Sequence, residues 1–297
     1  MLHLPPLYPI TDATRTESLS AQIRRLGEAG FPLVQFRGKP LDALAQWTEL
    51  RATLMAAAAN GGWPMICVND RVDLALLAAR EGLTPWGLHL GQGDLPAAEA
   101  KELPGLANLH LGASTHEPSE WEGVAAACDH AGVGPFRGTA TKGDHAAPIG
   151  PEGLRAGCAA LRARGVAPIA IGGLTSTDAQ ACFEAGAESL AMVGEIHRAE
   201  DPAALGWATQ AHRWRMRPPF QPGQGLALIG GSGAGKTTLG RQLAFRLTLP
   251  FHDLDAVIEA REGRPVTKIF AEKGEGAFRD LESALLPGLL ATPALVA

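Results

Sequence analysis

From the N-terminus to about Arg215, short apolar runs alternate with longer stretches whose apolar positions recur at helical spacing. The strand-like runs are Leu7–Asp12, Leu33–Gly38, Met65–Asp70, Gly87–Gln92, His110–Thr115, His130–Phe136, Ala167–Gly173 and Ser189–Glu195. Ser18–Ala29, Leu41–Asn60, Arg71–Glu81 and Thr175–Ala185 carry the helical period between them. Glu28-Ala29-Gly30 and Glu184-Ala185-Gly186 read as helix ends closed by glycine. Repeated strand–helix units require parallel strands, because each return path is a helical crossover. Eight such units before Arg215 predict a closed (β/α)8 TIM barrel, with a doubly wound open sheet as the competing architecture. Met216–Gly225 holds three prolines and two glycines and reads as a linker. A second α/β pattern opens with Leu226-Ala227-Leu228-Ile229-Gly230. The predicted organisation is therefore a barrel over 1–215, a linker over 216–225 and a smaller α/β domain over 226–297.

Composition narrows the function classes. Hydrophobic residues make up 46% and charged residues 19%, as in a packed globular chain. A net charge of -5 argues against broad electrostatic binding to nucleic acid or an anionic membrane, but not against local capture of a small anion. Cys67, Cys128, Cys158 and Cys182 are dispersed and show no metal-ligand spacing, so buried free thiols in a reducing compartment are expected. No apolar run reaches the ~18 residues of a membrane span, and the first residues lack a signal-peptide pattern. A cytoplasmic location is the expectation. The basic Arg213-Trp214-Arg215-Met216-Arg217 is read as a solvated helix end, and homo-oligomerisation is left open.

In a parallel barrel, chemistry gathers where strands run out into loops. Those positions are Gln35-Phe36-Arg37-Gly38-Lys39, Asn69-Asp70, Gln92-Gly93-Asp94, Ser114-Thr115, Thr139-Ala140-Thr141-Lys142, Gly172-Gly173 and Val193-Gly194. Two carboxylates on neighbouring loops, Asp70 and Asp94, point to a hard divalent ion, Mg2+, that shares its shell with phosphate oxygens. Arg37, Lys39 and Lys142 add positive charge, as a magnesium-bound polyphosphate requires. The glycine-rich ends of strands seven and eight suggest a second anion site built from backbone N–H groups. The plainer alternatives are that Asn69 or Asp70 caps the next helix and that Gly172-Gly173 is only a tight turn. His89 is read as a packed barrel histidine rather than a ligand.

The stretches LYPITD, VQFRGK, VNDRVDLAL, GLHLGQGDLP, LGASTH, VGPFRGTATK and AIGGLTSTDA resemble the thiamine-phosphate synthase family over residues 1 to about 212. The resemblance implies a transferase that joins an aminopyrimidine diphosphate to a thiazole phosphate and releases pyrophosphate. It implies that Gln35, Phe36, Arg37, Gly38, Lys39 and Asn69 line the pyrimidine-diphosphate site. Asp70 and Asp94 would hold Mg2+, and Ser114 and Lys142 would contact the same substrate. Arg37, Ser114 and Lys142 are the candidate catalytic residues. Thr139, Ala140, Thr141, Gly173, Val193 and Gly194 would bind the thiazole phosphate. Two positions depart from the family pattern: Gly38 stands for a longer side chain, and Gly194 for a serine. A thiazole tautomerase and a non-catalytic phosphate- or nucleotide-binding regulatory module are the alternative functions.

Gly230-Gly231-Ser232-Gly233-Ala234-Gly235-Lys236-Thr237 satisfies the phosphate-loop pattern between an apolar strand and a helix over Leu239–Leu247. Gly230, Gly233, Ala234, Gly235, Lys236, Thr237 and Thr238 would cradle ATP phosphates, with Thr237 on Mg2+. Together with FHDLDAVIEAREG and GEGAFRDLE, this region resembles shikimate kinase. That resemblance places Asp253 near Mg2+ and Asp255 and Arg279 on shikimate. The family's later glycine triplet, lid arginine and adenine loop do not occur before Ala297, and the last strand is expected to present an apolar edge. Little or no shikimate phosphorylation is therefore expected.

Overall fold

A computed structural model describes residues 2–138, 147–216, 225–230, 234–247 and 249–297. The chain divides into two compact units, Met1–Met216 and Arg217–Ala297. In the first, the strands are β1 (Leu7–Pro9), β2 (Leu33–Phe36), β3 (Met65–Asn69), β4 (Gly87–Leu90), β5 (His110–Thr115), β6 (His130–Val133), β7 (Ala167–Ala170) and β8 (Ser189–Met192). The helices are α1 (Leu19–Glu28), α2 (Ala43–Ala59), α3 (Val72–Arg80), α4 (Ala97–Glu102), α5 (Pro118–Gly123), α6 (Gly150–Ala163), α7 (Ala179–Glu184), α8 (Gly194–Arg198) and α9 (Pro202–Met216). All eight strands are parallel, and β1 pairs with β8. The remaining gap is spanned by one bridge between Ile10 and Gln35, where the Thr11 N–H donates to the Gln35 carbonyl at 3.0 Å. The architecture is the TIM barrel rather than the open sheet.

Alternation along each strand sorts its residues into two layers. Val34, Phe36, Val68, Leu88, Leu90, Leu111 and Val133 turn outward and pack with helix residues such as Ile23, Leu26, Leu50, Leu74 and Leu154. Tyr8, Ile10, Leu33, Cys67, Ala167, Ile169 and Ala191 fill the ring. The helices follow the same economy of burial. In α1, Leu19, Gln22, Ile23 and Leu26 share the buried face, the Ser18 hydroxyl accepts from the Ala21 N–H, and Gly30 ends the turn at φ 93°. Below the strands, Glu188 is buried and ion-paired to Arg162 and Arg213, whose guanidiniums also donate to the Gly186 and Leu4 carbonyls. This pairing ties α6, α9 and the N-terminal segment to the start of β8. All four cysteines are buried and none is in a disulfide, and burial pushes the Cys67 and Cys182 thiols up to about 12.

The second unit is a three-stranded parallel sheet of β9 (Leu226–Ala227), β10 (Phe251–His252) and β11 (Leu295–Val296), with helices α10 (Lys236–Leu247), α11 (Leu254–Glu262) and α12 (Val266–Leu290). The strand order is β10-β11-β9. The expected apolar edge at the last strand is thereby corrected: β11 inserts between the other two, pairs on both sides, and buries Leu295 and Val296. Ile258, Ile269 and Phe278 form a small core where α11 meets α12. Among the described residues, no helix is long and apolar enough to cross a membrane.

Candidate active site at the C-terminal rim of the barrel

The rim residues sit where the ladder stops, so their placement depends on loop backbone. Asp70 follows the last residue of β3 and adopts φ 61°, a left-handed conformation that Asp and Asn accept more readily than other non-glycine residues. Its N–H donates to the His89 carbonyl at 2.8 Å, which fixes it against the end of β4. Neither Asn69 nor Asp70 caps α3, whose N-cap position, Arg71, has no side-chain capping bond. The capping alternative is thus excluded.

Asp94 lies on the next loop and accepts the Gly91 N–H on Oδ2 at 2.7 Å. An ideal Cβ on Gly91 would lie 3.2 Å from Asp94 Oδ2 and 4.0 Å from Asp70 Oδ1, so both carboxylates converge on one point. Partial burial, reinforced by the neighbouring Asp70 charge, raises the Asp94 pKa, while the Gly91 N–H opposes the rise. Lys39 Nζ pairs with Asp70 Oδ2 at 2.5 Å. Among the described residues, no group of three or more His, Cys, Asp or Glu is arranged for a metal. A two-carboxylate, all-oxygen donor set suits Mg2+, which keeps several positions for water and phosphate oxygens.

Strand β2 divides its predicted site residues. Gln35 is buried inside the ring, with Nε2 3.4 Å from the Tyr8 hydroxyl. Phe36 is turned the other way, into the layer between strands and helices, so only its backbone is available to the rim. Arg37 is held by two bonds to Thr11, its N–H donating to Oγ1 at 2.8 Å and its carbonyl accepting from Oγ1 at 3.1 Å. Gly38 has no spare room: an added Cβ would lie 2.7 Å from Gln46 Cγ. The Gln46 side chain fills that space and donates to the Leu41 carbonyl at 2.6 Å.

Ser114, at the end of β5, lies with Oγ 3.1 Å from His89 Nε2. Its carbonyl accepts from Gln92 Nε2 at 2.7 Å. On the opposite side of the rim, Gly172 and Gly173 have φ 96° and 63°. A Cβ on Gly172 would come within 2.5 Å of Pro135 Cα, so this turn needs glycine both for its backbone and for its close approach. The loop after β6 is stitched to it by the Arg137 N–H donating to the Gly172 carbonyl at 3.0 Å. Arg137 also pairs at 2.6 Å with Asp178, which is buried. The Ser176 hydroxyl donates to Glu195 at 2.9 Å, linking the segment after β7 to the first turn of α8. Val193 and Gly194 follow β8, and a Cβ on Gly194 would lie 2.9 Å from an Arg198 guanidinium nitrogen. Thr139, Ala140, Thr141 and Lys142 lie outside the described residues.

In the second unit, Lys236 Nζ donates to the Gly230 carbonyl at 2.8 Å. The Thr237 hydroxyl donates to Asp253 Oδ2 at 3.0 Å, which joins the two expected magnesium ligands. Thr238 continues α10, and Ala234 and Gly235 precede it; Gly233 lies outside the described residues. Burial and the charges of Asp253 and Glu282 raise the Asp255 pKa. Arg279 is exposed and paired with Glu275 and Glu282 of its own helix. It is not paired with Asp255.

Sequence reasoning places Gln92 at the strand-four end without giving it a role, and passes over Arg137, Asp178 and Arg198. Asp178 did carry a signal, since Thr175 and Asp178 form a capping box ahead of α7. It likewise missed the partner of His89. His130 Nε2 lies 3.4 Å from His89 Nδ1 inside the ring, and burial drives the His130 pKa well below the usual imidazole range.

Three comparisons bear on this geometry. The thiamine monophosphate synthase family model matches residues 7–196, and the shikimate kinase model matches residues 232–297. A thiamine-phosphate synthase of Chloroflexus aurantiacus is 40% identical over 202 residues, covering 67% of this chain and 88% of that protein. One from Synechococcus is 38% identical over 63% of this chain but only 50% of its own length. Among solved structures, the thiamine phosphate pyrophosphorylase of Pyrococcus furiosus superposes with a TM-score of 0.59 at 25% identity, over 72% of this chain and 97% of that one.

Proposed function

The chain belongs to the thiamine monophosphate synthase family, and from that premise we propose that its barrel joins an aminopyrimidine methyl diphosphate to a thiazole phosphate. The C–O bond to the diphosphate breaks, pyrophosphate leaves, and the thiazole nitrogen forms a C–N bond to the freed methylene carbon. The observation that carries this reading is the convergence of Asp70, Asp94 and Lys39 on one side of the rim that also presents Ser114. Such chemistry needs stabilisation of departing negative charge and alignment of two reactants more than it needs a strong base. Mg2+, when bound by Asp70 and Asp94, would neutralise the diphosphate and favour its departure. Lys39 and Arg37 add fixed positive charge on the same side. Gln35, Asn69 and Ser114 supply polar atoms along the inward face of β2, β3 and β5, where the pyrimidine would sit. The turn at Gly172–Gly173 and the backbone of Val193–Gly194 would hold the thiazole phosphate, which places nucleophile and electrophile across the same mouth.

The C-terminal unit fits a nucleotide-phosphate site, with Lys236, Thr237 and Asp253 as the groups facing phosphate and Mg2+. The barrel's reaction takes soluble substrates, in keeping with a cytoplasmic enzyme. The deciding experiment measures pyrophosphate release from the full chain with each substrate omitted in turn. The synthase requires both substrates and Mg2+. Conversion of a thiazole phosphate isomer alone, without metal, would instead identify a tautomerase, and no turnover with either would leave a binding module.

A further inference from the structure

The barrel interior holds a polar pair that the reaction as described does not use. His89 from β4 and His130 from β6 lean toward each other across β5, with ring centroids 5.5 Å apart and planes inclined by 29°. They meet because the β5 residue between them is Gly112. An added Cβ there would lie 2.1 Å from His130 Nε2 and 2.6 Å from His89 Nδ1. His130 Nε2 and His89 Nδ1 are 3.4 Å apart, and His89 Nε2 lies 3.1 Å from the Ser114 hydroxyl. The three residues form one chain from the barrel interior to the rim.

We propose that His130 is a positioning residue that sets the direction of this chain, so that the Ser114 hydroxyl turns its proton toward the substrate. Two neutral imidazoles joined by a hydrogen bond share one proton between their facing nitrogens, and two arrangements are open. In the first, His130 carries its proton on Nε2 and donates to His89. In the second, His130 accepts from His89 and must carry its own proton on Nδ1. His130 is wholly buried, and its Nδ1 has no hydrogen-bond partner. The rings of Trp86 and Tyr8 lie 5.8 and 6.4 Å from it, centroid to centroid. The second arrangement would therefore strand an N–H donor in an aromatic enclosure. The first leaves only a bare lone pair there, and buried orphan donors are the rarer defect in folded proteins. Burial also keeps the ring neutral, so no second proton arises to blur the choice.

The consequence propagates outward. With His89 Nδ1 accepting, its proton resides on Nε2 and is donated to Ser114 Oγ. A serine hydroxyl that already accepts from below presents its O–H to whatever lies above. The inference rests on the proposed function in one respect: Ser114 faces the pyrimidine diphosphate. The O–H freed in this way is satisfied by an acceptor there, a ring nitrogen or a diphosphate oxygen. This adds directional selection to a rim otherwise defined by charge.

The test uses the full chain labelled with 13C,15N-histidine, with ring resonances assigned by through-bond correlation to the backbone of each histidine in the unaltered protein. Long-range proton–nitrogen correlations at neutral pH should show both rings protonated on Nε2. A proton on Nδ1 of His130, or of His89, overturns the proposal whether or not the variants fold. In the second arm, His130→Gln keeps an amide donor near the Nε2 position, whereas His130→Phe removes it. Turnover should fall about tenfold in the phenylalanine variant, the worth of one hydrogen bond, with KM little changed, and should recover in the glutamine variant. Equal loss in both, or wild-type turnover in a folded His130→Phe protein, counts against it. Absence of synthase turnover in the unaltered chain would sink the proposed function instead, while leaving the tautomer measurement able to decide this inference.

Discussion

Replacing Asp70 with asparagine separates the charge of the rim from its shape. Asp70 stands at φ 61°, and asparagine tolerates that left-handed backbone as aspartate does, whereas alanine there would add about 1 kcal/mol of strain. The substitution is nearly isosteric, so the Lys39 and Asp94 side chains need not move to accommodate it. The lost ion pair costs little stability, because the Lys39 side chain is 60% exposed and such pairs contribute at most about 1 kcal/mol. Turnover should respond far more strongly. Removing one preorganised electrostatic group from a charge-developing step costs on the order of 10²-fold, or about 2.7 kcal/mol. Asp94, relieved of its neighbour's charge, should also titrate lower than in the native protein. The assay is steady-state pyrophosphate release over a Mg2+ titration, paired with thermal unfolding of the same preparation. The expected result is a hundredfold loss at saturating Mg2+, a weaker apparent Mg2+ affinity, and a melting point lowered by only a few degrees. A folded Asp70→Asn protein within threefold of native turnover would remove Asp70 from the metal site and refute the argument.

Three further outcomes are expected. Glu188→Gln leaves two partly buried guanidiniums without their shared carboxylate; the barrel should lose about 2–4 kcal/mol, read by calorimetry, and a loss under 0.5 kcal/mol would assign the network no structural role (both roughly scaled from broken buried pairs). Gly194→Ser should displace the Arg198 guanidinium that occupies the space beside Gly194, changing the KM for thiazole phosphate by about three- to tenfold while kcat holds, as expected of a uniform binding contact; an unchanged KM argues against a phosphate site there. His130 is held neutral when folded but takes a proton in the unfolded chain below pH of about 6.5, so its contribution is fully present above that pH and is lost on acidification. His130→Phe should therefore reduce the stability lost between pH 7.5 and 5.5 by at most about 1.4 kcal/mol, measured by denaturant unfolding at the two pH values, and an unaltered difference would contradict burial of a neutral ring.

Legibility in the sequence followed the range of the interactions involved. The eight strands could be read because each is buried on both faces and leaves a continuous apolar run bounded by turn residues. Their expected ends lie three residues too far at β1, β6, β7 and β8 and two too far at β2 and β4, because the run of apolar and small residues continues after ladder pairing has stopped. His130–Phe136 runs past Val133 into Gly134-Pro135, where the chain has left the ladder. Asp70 and Asp94 were legible as a pair since adjacent parallel strands bring corresponding loop positions together. Phe36 was placed in the site by resemblance, although alternation with the inward Gln35 already turns it outward. α6 and α9 went undrawn: α6 opens Gly-Pro-Glu-Gly, and α9 spreads its apolar residues around the axis rather than along a stripe. The His89–His130 contact spans 41 residues and depends on a missing side chain at a third position, so no local pattern announces it.

The two glycines that the resemblance marks as departures share one structural feature. At Gly38 the vacated volume holds Gln46, from the helix that follows β2; at Gly194 it holds Arg198, four residues along the helix that follows β8. In each case a longer side chain from the next helix reaches back to the strand end, so the rim keeps its volume and polar character while changing which residue supplies them. Gln46 directs its amide to the Leu41 carbonyl and closes the loop that carries Lys39. Under the proposed function, Arg198 would bring a cation where a neutral hydroxyl would otherwise stand, a stronger and longer-ranged partner for a phosphate dianion. Substitution at a rim glycine and at its reaching partner should therefore be coupled: the effects of Gly194→Ser and Arg198→Ala on thiazole-phosphate affinity should fall short of additive by about 0.5 kcal/mol or more, whereas independent sites would add.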